Sequence, residues 1–268
     1  MTVKKQAEGD RNLFAEERRQ RILDTLATDS RVLVNDLSDR FGVSSATLRN
    51  DLRDLEASGL LRRTHGGAVA IEGVAIEHSA EAALSEHQDA KASIGAYAAT
   101  LVNDGDVLFC DSGSTTYELI RALPARRCAT IITNDCVIAV EAERRLPEST
   151  VIMLGGTLRT GFHYAMGAAT VAAAGTMSAP TAFLAATAFS FDRGFSVPTV
   201  DLAVYKQKLI ERSEHTVMLM DSSKFSTFST VSFAELDEVS TLVTDKGLDG
   251  HLADRLKTAP GAPDLVLV

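Results

Sequence analysis

The stretch from Val107 to Leu119, "VLFCDSGSTTYEL", decides how the larger part of this chain is read. Four apolar residues end in Asp111, Ser112, Gly113, Ser114, Thr115 and Thr116, and a helical pattern follows. Such a junction of strand and helix can cradle an anion. Gly113 lets the backbone approach closely, and Ser114, Thr115 and Thr116 offer hydroxyls. The N–H groups that open the next helix are unpaired and point outward. Asp111 is placed to take sugar hydroxyls. Ser, Thr and Asp at such a junction are also good helix caps, so the loop alone leaves both readings open.

Downstream, short β-rich runs recur at 106–111, 129–134, 149–156, 181–187, 215–221, 240–245 and 264–268. Helical patterns lie between most of them, at 115–122, 135–145, 167–176, 201–213 and 248–257. This alternation predicts a mostly parallel sheet with helices on both faces. Open sheets of this kind bind ligands at the carboxyl ends of their strands. Polar residues stand at several of those ends: Asn134, Gly155 and Gly156 followed by Arg159, Asp201 and Lys206, then Asp221 and Lys224. Their convergence on one rim predicts a small-molecule site. Asp135 reads as a helix cap, Asp245 as the close of a turn, and His163 with Tyr164 as an exposed loop pair.

The 268 residues suffice for a small and a medium domain, and 45% hydrophobic with 24% charged residues is an ordinary globular balance. No apolar run is long enough for a membrane span. The most apolar window, "TAFLAATAFSF" from Thr181, suits a buried strand. The first residues lack the apolar centre of a signal peptide. Cys110, Cys128 and Cys136 show no C-x-x-C spacing and read as buried thiols of a reducing compartment, so a cytoplasmic location is expected. The six histidines are scattered without helical metal-site spacing. Neither a metal nor a cofactor is expected. The net charge of −9 argues against nucleic acid, but residues 1–70 hold 12 basic and 11 acidic residues, leaving 15 and 25 for the rest. That asymmetry separates two domains with different partners.

In the first of these, Leu13, Phe14, Ile22, Leu23 and Leu26 share a helical face, with Arg18, Arg19 and Arg21 outside it. Residues 34–41 make a second helix with Leu37 and Phe41 inward, and Gly42 supplies a tight turn. Ser44 is an N-cap for a third helix striped by Leu48, Leu52 and Leu55, which Gly59 ends. "LLRRTHGGAVAI" then reads as two short strands around a turn. Three helices and a β-hairpin make a winged helix-turn-helix. Ser44, Ser45, Thr47, Arg49, Asn50 and Arg53 on the third helix, with Arg62, Arg63 and His65 on the wing, are the candidate DNA contacts. The competing reading is a small helical subdomain that touches only protein. The expected boundaries are a flexible tail at 1–12, the winged helix at 13–70, a linker at 71–90 and the α/β domain at 91–268.

The run "ERRQRILDTL…VNDLSDRFGVSSATLRNDLRDLEASGLLRRTHGGAV" resembles the N-terminal signature of the DeoR family of bacterial transcriptional regulators. "DGDVLFCDSGSTT", "TN", "LGGTLR", "PTVDLAVYKQKLI", "DSSKF" and "TLVTD" follow in that family's order. The resemblance spans about 13 to 268. It implies a winged helix-turn-helix joined to a sensor domain similar to ribose-5-phosphate isomerase. Such regulators repress carbohydrate catabolism operons at the bacterial nucleoid and are released by a phosphorylated or otherwise anionic sugar. The implied partners are double-stranded operator DNA, that small effector, and further copies of the chain in a homodimer or homotetramer. The effector residues carried over are Asp111, Ser112, Gly113, Ser114, Thr115, Thr116, Asn134, Gly155, Gly156, Lys206 and Lys224, with Arg159 and Asp221 beside them.

Some positions depart from the family pattern. Asn50 stands where many members have a second arginine, and Asn suits adenine where Arg suits guanine. Thr187 and Ala188 replace a Ser-Gly pair, and the acidic cluster before Lys206 is reduced to Asp201. An arginine common before Lys91 is missing. The first change points to an altered operator preference, and the others to a modified or bulkier ligand. The alternative reading is a sugar-phosphate isomerase with an accessory domain. It lacks the glycine-rich lysine motif of those enzymes and a base and acid placed on adjacent carbons.

Overall fold

The computed structural model describes residues 13–127 and 129–268, so the expected tail at 1–12 and the Cys128 thiol lie outside the described residues. The chain divides into two compact units, Met1–Ala82 and Ala83–Val268.

In the first unit, α1 (Ala15–Asp29), α2 (Val34–Phe41) and α3 (Ser45–Ala57) surround Ile22, Leu26, Leu37, Phe41, Leu48, Leu52, Leu55 and Leu61, all buried. Each such side chain contributes about 1.5–3 kcal/mol. The turn between α2 and α3 uses Gly42 in the left-handed region at φ 67°, and Ser44 caps α3 by accepting from the Thr47 N–H at 3.2 Å. The wing strands β2 (Arg62–Thr64) and β3 (Gly67–Val69) form as expected. A third strand not legible from sequence, β1 (Arg31–Leu33), completes an antiparallel sheet in the order β1-β3-β2.

The expectation that Arg18 lies outside the apolar face is corrected. Arg18 is buried, and its Nε donates to Asp51 Oδ2 of α3 at 2.6 Å. A buried cation is tolerable here because the buried carboxylate that faces it would otherwise be uncompensated.

The second unit begins with α4 (Ala80–Ser85), whose last residues belong to it, and α5 (Gln88–Thr100). The stretch 71–90 thus holds α4 and the start of α5. All seven β-rich runs become strands of one sheet: β4 (Val107–Cys110), β5 (Thr130–Thr133), β6 (Thr150–Met153), β9 (Ala179–Leu184), β12 (Ser213–Leu219), β14 (Thr241–Thr244) and β15 (Asp264–Leu267). Every pairing is parallel. Side chains alternate between the two faces, as a strand dictates. Leu108, Cys110, Ile131, Phe183, Val217 and Val243 pack with α5, α6 (Ser114–Ala122) and α7 (Cys136–Arg145) through Ile94, Leu119 and Ile138. Phe109, Ile132, Leu184, Met218 and Leu242 pack with α8 (Ala168–Gly175), α9 (Val200–Glu211) and α10 (Gly250–Thr258) through Ala174, Leu209 and Leu256.

The strand order is β15-β14-β12-β9-β4-β5-β6. The chain leaves β4 toward β5 and β6, then returns to the other side of β4 to lay down β9, β12, β14 and β15. The order therefore reverses between β4 and β9, where the connections diverge and leave a crevice. The expected strand at 181–187 is shifted. It runs from Ala179 to Leu184, and Ala185 to Thr187 leave the sheet at this crevice. Two smaller sheets were not legible: the hairpin of β7 (Thr157–Leu158) with β8 (Ala165–Met166), and the antiparallel β10 (Ala188–Ser190), β11 (Gly194–Val197) and β13 (Val231–Ala234). Phe189, Phe195, Phe225 and Phe233 build the core beneath the latter. Among the described residues, no helix is long and apolar enough to cross a membrane.

Candidate functional site

On α3 the apolar and polar faces are cleanly divided. Leu48, Leu52 and Leu55 are buried, whereas Ala46, Arg49, Asn50 and Arg53 lie along one exposed face at helical spacing. The Arg49, Asn50 and Arg53 side chains make no hydrogen bond or ion pair among the described residues, so their donors are available. Ser44 and Thr47 share a hydroxyl contact at 2.9 Å, and Ser45 opens the first turn half-buried.

The acidic residues of the helix are neutralised from behind. Asp51 pairs with Arg18 and with Arg19 (3.2 Å), and Asp54 pairs with Arg19. Glu56 takes the Arg63 N–H at 2.8 Å and faces its guanidinium at 3.6 Å. The wing therefore offers Arg62 and His65 exposed, with Arg63 partly engaged. The face that carries Arg49, Asn50 and Arg53 is left with positive charge and amide donors, which suits a phosphate-lined groove.

The rim of the second unit is centred on Asp111, at the switch point. Its backbone N–H donates to Phe183 O across the β4–β9 boundary, and its Oδ2 accepts from the Ala185 N–H at 3.1 Å. Lys206 Nζ, from α9, also donates to Oδ2 and to Ala185 O at 2.9 Å. Among the described residues, Oδ1 is buried with no partner. Asn134 repeats the pattern at the end of β5: its Nδ2 donates to Ala165 O at 2.9 Å, and its Oδ1 is buried without a partner. The fully buried Tyr205 hydroxyl is likewise unpartnered, and burial together with the Asp111 charge holds this phenol well above its usual range. Unmet polar atoms of this kind are costly unless something else satisfies them.

Gly113 sits at φ 151°, a conformation other residues rarely adopt, and no side chain caps the start of α6. Ser114 is half-buried there, and Ser112 and Thr115 are buried. The expected ligand hydroxyl of Thr116 is corrected: the residue is fully buried and its Oγ1 donates back to Gly113 O at 2.8 Å. Gly155 lies exposed after β6, and its carbonyl accepts from Thr170 Oγ1 at 2.7 Å. At Gly156 a Cβ would come within 2.2 Å of Thr170 Oγ1. Close packing against α8 thus accounts for that glycine.

Arg159 lies in the β7–β8 hairpin, where its guanidinium stacks 3.7 Å from the Phe162 ring and donates to the Tyr164 hydroxyl. Asp201 is exposed on the first turn of α9. A helix turns about 100° per residue, so Asp201 lies roughly 140° from Lys206, which faces inward to Asp111. The pairing of Asp201 with Lys206 on one rim is corrected on this ground. Asp221 is buried and caps the short turn Ser222–Lys224 by accepting from the Ser223 N–H at 3.1 Å. Lys224 is half-buried and makes no ion pair among the described residues.

Two rim residues were not among the sequence candidates. Lys91 is buried and donates to Ala83 O (2.6 Å) and Glu86 O (2.8 Å). Burial lowers its pKa, while Asp221 raises it and Lys224 lowers it further, so the three lie within electrostatic reach. Asp135 does cap its helix, accepting from Val137 N–H (2.8 Å) and Ile138 N–H (3.0 Å). Burial nonetheless pushes its carboxyl up to about 6. The cap pattern was visible in the sequence; the burial was not. Asp245 closes its turn by accepting from Ser222 and Gly247. Burial pushes it up, and these hydrogen bonds outweigh that to leave it below its usual range. Of the thiols, Cys110 is buried, while Cys136 is only half-buried, against expectation.

A winged helix-turn-helix joined to an α/β domain with buried polar side chains at its switch point defines a DNA-binding transcriptional regulator with a sensor domain. The family models agree: residues 18–74 match the DeoR-like helix-turn-helix domain and residues 86–246 the DeoR C terminal sensor domain. The chain belongs to the DeoR family. It is 31% identical over 243 residues to the HTH-type transcriptional regulator GlpR of Haloferax volcanii, covering 91% of this chain and 94% of that one. It is 34% identical to YgbI, an uncharacterized HTH-type transcriptional regulator of Escherichia coli, over 87% and 90% of the two chains. The transcriptional repressor AccR of Agrobacterium fabrum is 29% identical over 87% and 90%. Among solved structures, ribose 5-phosphate isomerase A of Methanocaldococcus jannaschii aligns at a TM-score of 0.38 and 18% identity. That alignment covers 52% of this chain and 55% of that one, a likeness too distant to bear on activity.

Proposed function

We propose that this regulator represses a carbohydrate catabolism operon in the cytoplasm and leaves its operator when a phosphorylated or otherwise anionic sugar fills the rim. The observation that carries the reading is the pair of buried, unpartnered carbonyl and carboxylate oxygens, Asn134 Oδ1 and Asp111 Oδ1, at the end of the sheet where the strand order reverses. They are acceptors for sugar hydroxyls. The uncapped start of α6, with Gly113 and Ser114, takes the anionic group. Lys206 holds Asp111 in place, and Lys224 and Lys91 add positive charge at the rim.

On DNA, two copies present α3 to successive major grooves, Arg49 and Arg53 meet phosphates or guanine, and Asn50 reads adenine. Release requires the ligand to favour the free form by roughly 3–5 kcal/mol across the oligomer.

The test is a thermal-shift screen of the full chain with sugar phosphates, sulfonated sugars and sugar acids, followed by DNA-release assays on each hit. A hit that raises the melting temperature and frees operator DNA supports the reading. Hits that stabilise the protein but never release DNA would overturn it.

A further inference from the structure

We propose that Asp135 engages the bound anion as a carboxylic acid, donating its O–H to an oxygen of the anionic group, so that effector binding takes up a proton from solvent. This rests on the reading of the Gly113 loop as the anion site.

The geometry sets a conflict that a proton resolves. In the β4–β5 register Phe109 stands opposite Ile132, and extending it past the strand ends sets Asp135 level with Ser112, one residue from Gly113. Asp135 Oδ1 accepts both cap bonds of α7, from Val137 and Ile138. The Gly113 N–H, a donor that the anion site needs, lies near enough to this carboxyl to lower its pKa. The charge of Asp111, at the end of β4, raises that pKa, and Lys206 is committed to Asp111. Cys110 and Cys136 adjoin it, and Tyr205 lies near from α9; burial pushes all three up and keeps them neutral. No cation pairs with Asp135 among the described residues. An anion at Gly113 would thus meet a carboxylate held by its cap bonds but paired with no cation. Protonation turns the same group from a repelling acceptor into a donor. Burial already holds Asp135 at about 6, against hydrogen bonds from Ile138 and Val137, so a neighbouring anion has little further to push it. The only bond formed is the O–H; Oδ1 keeps its cap.

Sodium sulfate is a suitable probe, because it stays dianionic between pH 5 and 8. Its stabilisation of the full chain is measured by thermal shift at constant ionic strength against chloride. The apparent sulfate affinity of the wild type should fall about tenfold per unit as pH rises above the Asp135 pKa. Asn caps a helix as well as Asp does and carries an N–H donor. Asp135→Asn should therefore fold, bind sulfate at all pH values, and show no such slope. A slope unchanged in Asp135→Asn overturns the proposal. Ser114→Ala should weaken sulfate binding at every pH and leave the slope intact, which separates the loop from Asp135. No stabilisation over chloride at any pH overturns the loop reading and this proposal together. Calorimetry of sulfate binding to the wild type at pH 7, in buffers of different ionisation enthalpy, provides a readout independent of any variant. It should register uptake of roughly one proton, and zero uptake overturns the proposal.

Discussion

Lys206 on α9 donates its ammonium to Asp111 Oδ2 across 95 positions of sequence, while Oδ1 of the same carboxylate stays buried and unsatisfied. The pair joins the end of β4, at the switch point, to α9, with both side chains almost wholly excluded from solvent. It holds one oxygen of the carboxylate, and under the proposed function the other is left for the effector.

Removing the cation leaves an uncompensated buried charge. Lys206→Met should cost about 3–5 kcal/mol, lowering the melting temperature by roughly 6–15 °C. It should also abolish effector-induced DNA release. Adding Asp111→Asn should recover part of the stability but not the response. Thermal melts and release assays on the single and double variants check this.

The Arg18–Asp51 pair makes the corresponding prediction for the winged helix. Arg18→Met should destabilise by about 3 kcal/mol, less than the full penalty of an orphaned charge because Arg19 also reaches Asp51. A double-mutant cycle with Asp51→Asn, read by urea denaturation, should return a coupling of about 1–3 kcal/mol.

On the exposed face of α3, Arg49→Ala and Arg53→Ala should each weaken operator binding about tenfold. If the lost contact is to phosphate, the salt slope should fall by about 1. Asn50→Arg should move the preferred base from adenine toward guanine. Selection on randomised DNA would show whether that preference stays where it was.

At the sensor loop, Ser114→Ala removes one half-exposed hydroxyl. It should raise the effector concentration needed for release about tenfold, the worth of a charge-assisted hydrogen bond, while operator affinity without effector stays within twofold. Equal losses in both assays would place Ser114 in the fold and not in the site.

Asp135 also predicts a pH dependence of stability in the absence of any ligand. Its folded pKa of about 6 lies above the ordinary 3.8, so the folded state resists its ionisation. The cost is absent below pH 3.8, grows as pH rises to about 6, and is constant above that. Asp135→Asn removes the titration. Its stability relative to wild type should therefore rise between pH 4 and 6 by roughly 2–3 kcal/mol. Urea titrations at several pH values measure the gap, and a gap that is flat or narrows with pH would contradict the assignment.

Much of the fold was legible because the relevant forces are local. The seven apolar runs, the Ser44 cap and the Gly42 turn follow from side-chain period, capping chemistry and the freedom of glycine. The two small antiparallel sheets and β1 escaped notice because their two to four residues lack the continuous apolar run or the flanking turn residues that marked equally short strands of the main sheet and the wing. In the candidate site, the positions of Asp111, Asn134 and Lys206 were legible as strand ends or the following helix. Lys91 and Asp135 were not, since what distinguishes them is burial among residues distant in sequence. Thr116 and Asp201 were over-read for a related reason: helix phase and a local backbone acceptor decide where their oxygens point.

By itself, then, the sequence determined the order and type of the main elements, the reading helix and the hydroxyl loop, because propensity and period act over a few residues. Which carboxylate meets which cation, where the strand order reverses, and which buried oxygens stay unsatisfied were decided only by the tertiary structure. Those properties depend on how strands far apart in the chain are ordered within one sheet. Their strength comes from the exclusion of water that this packing creates.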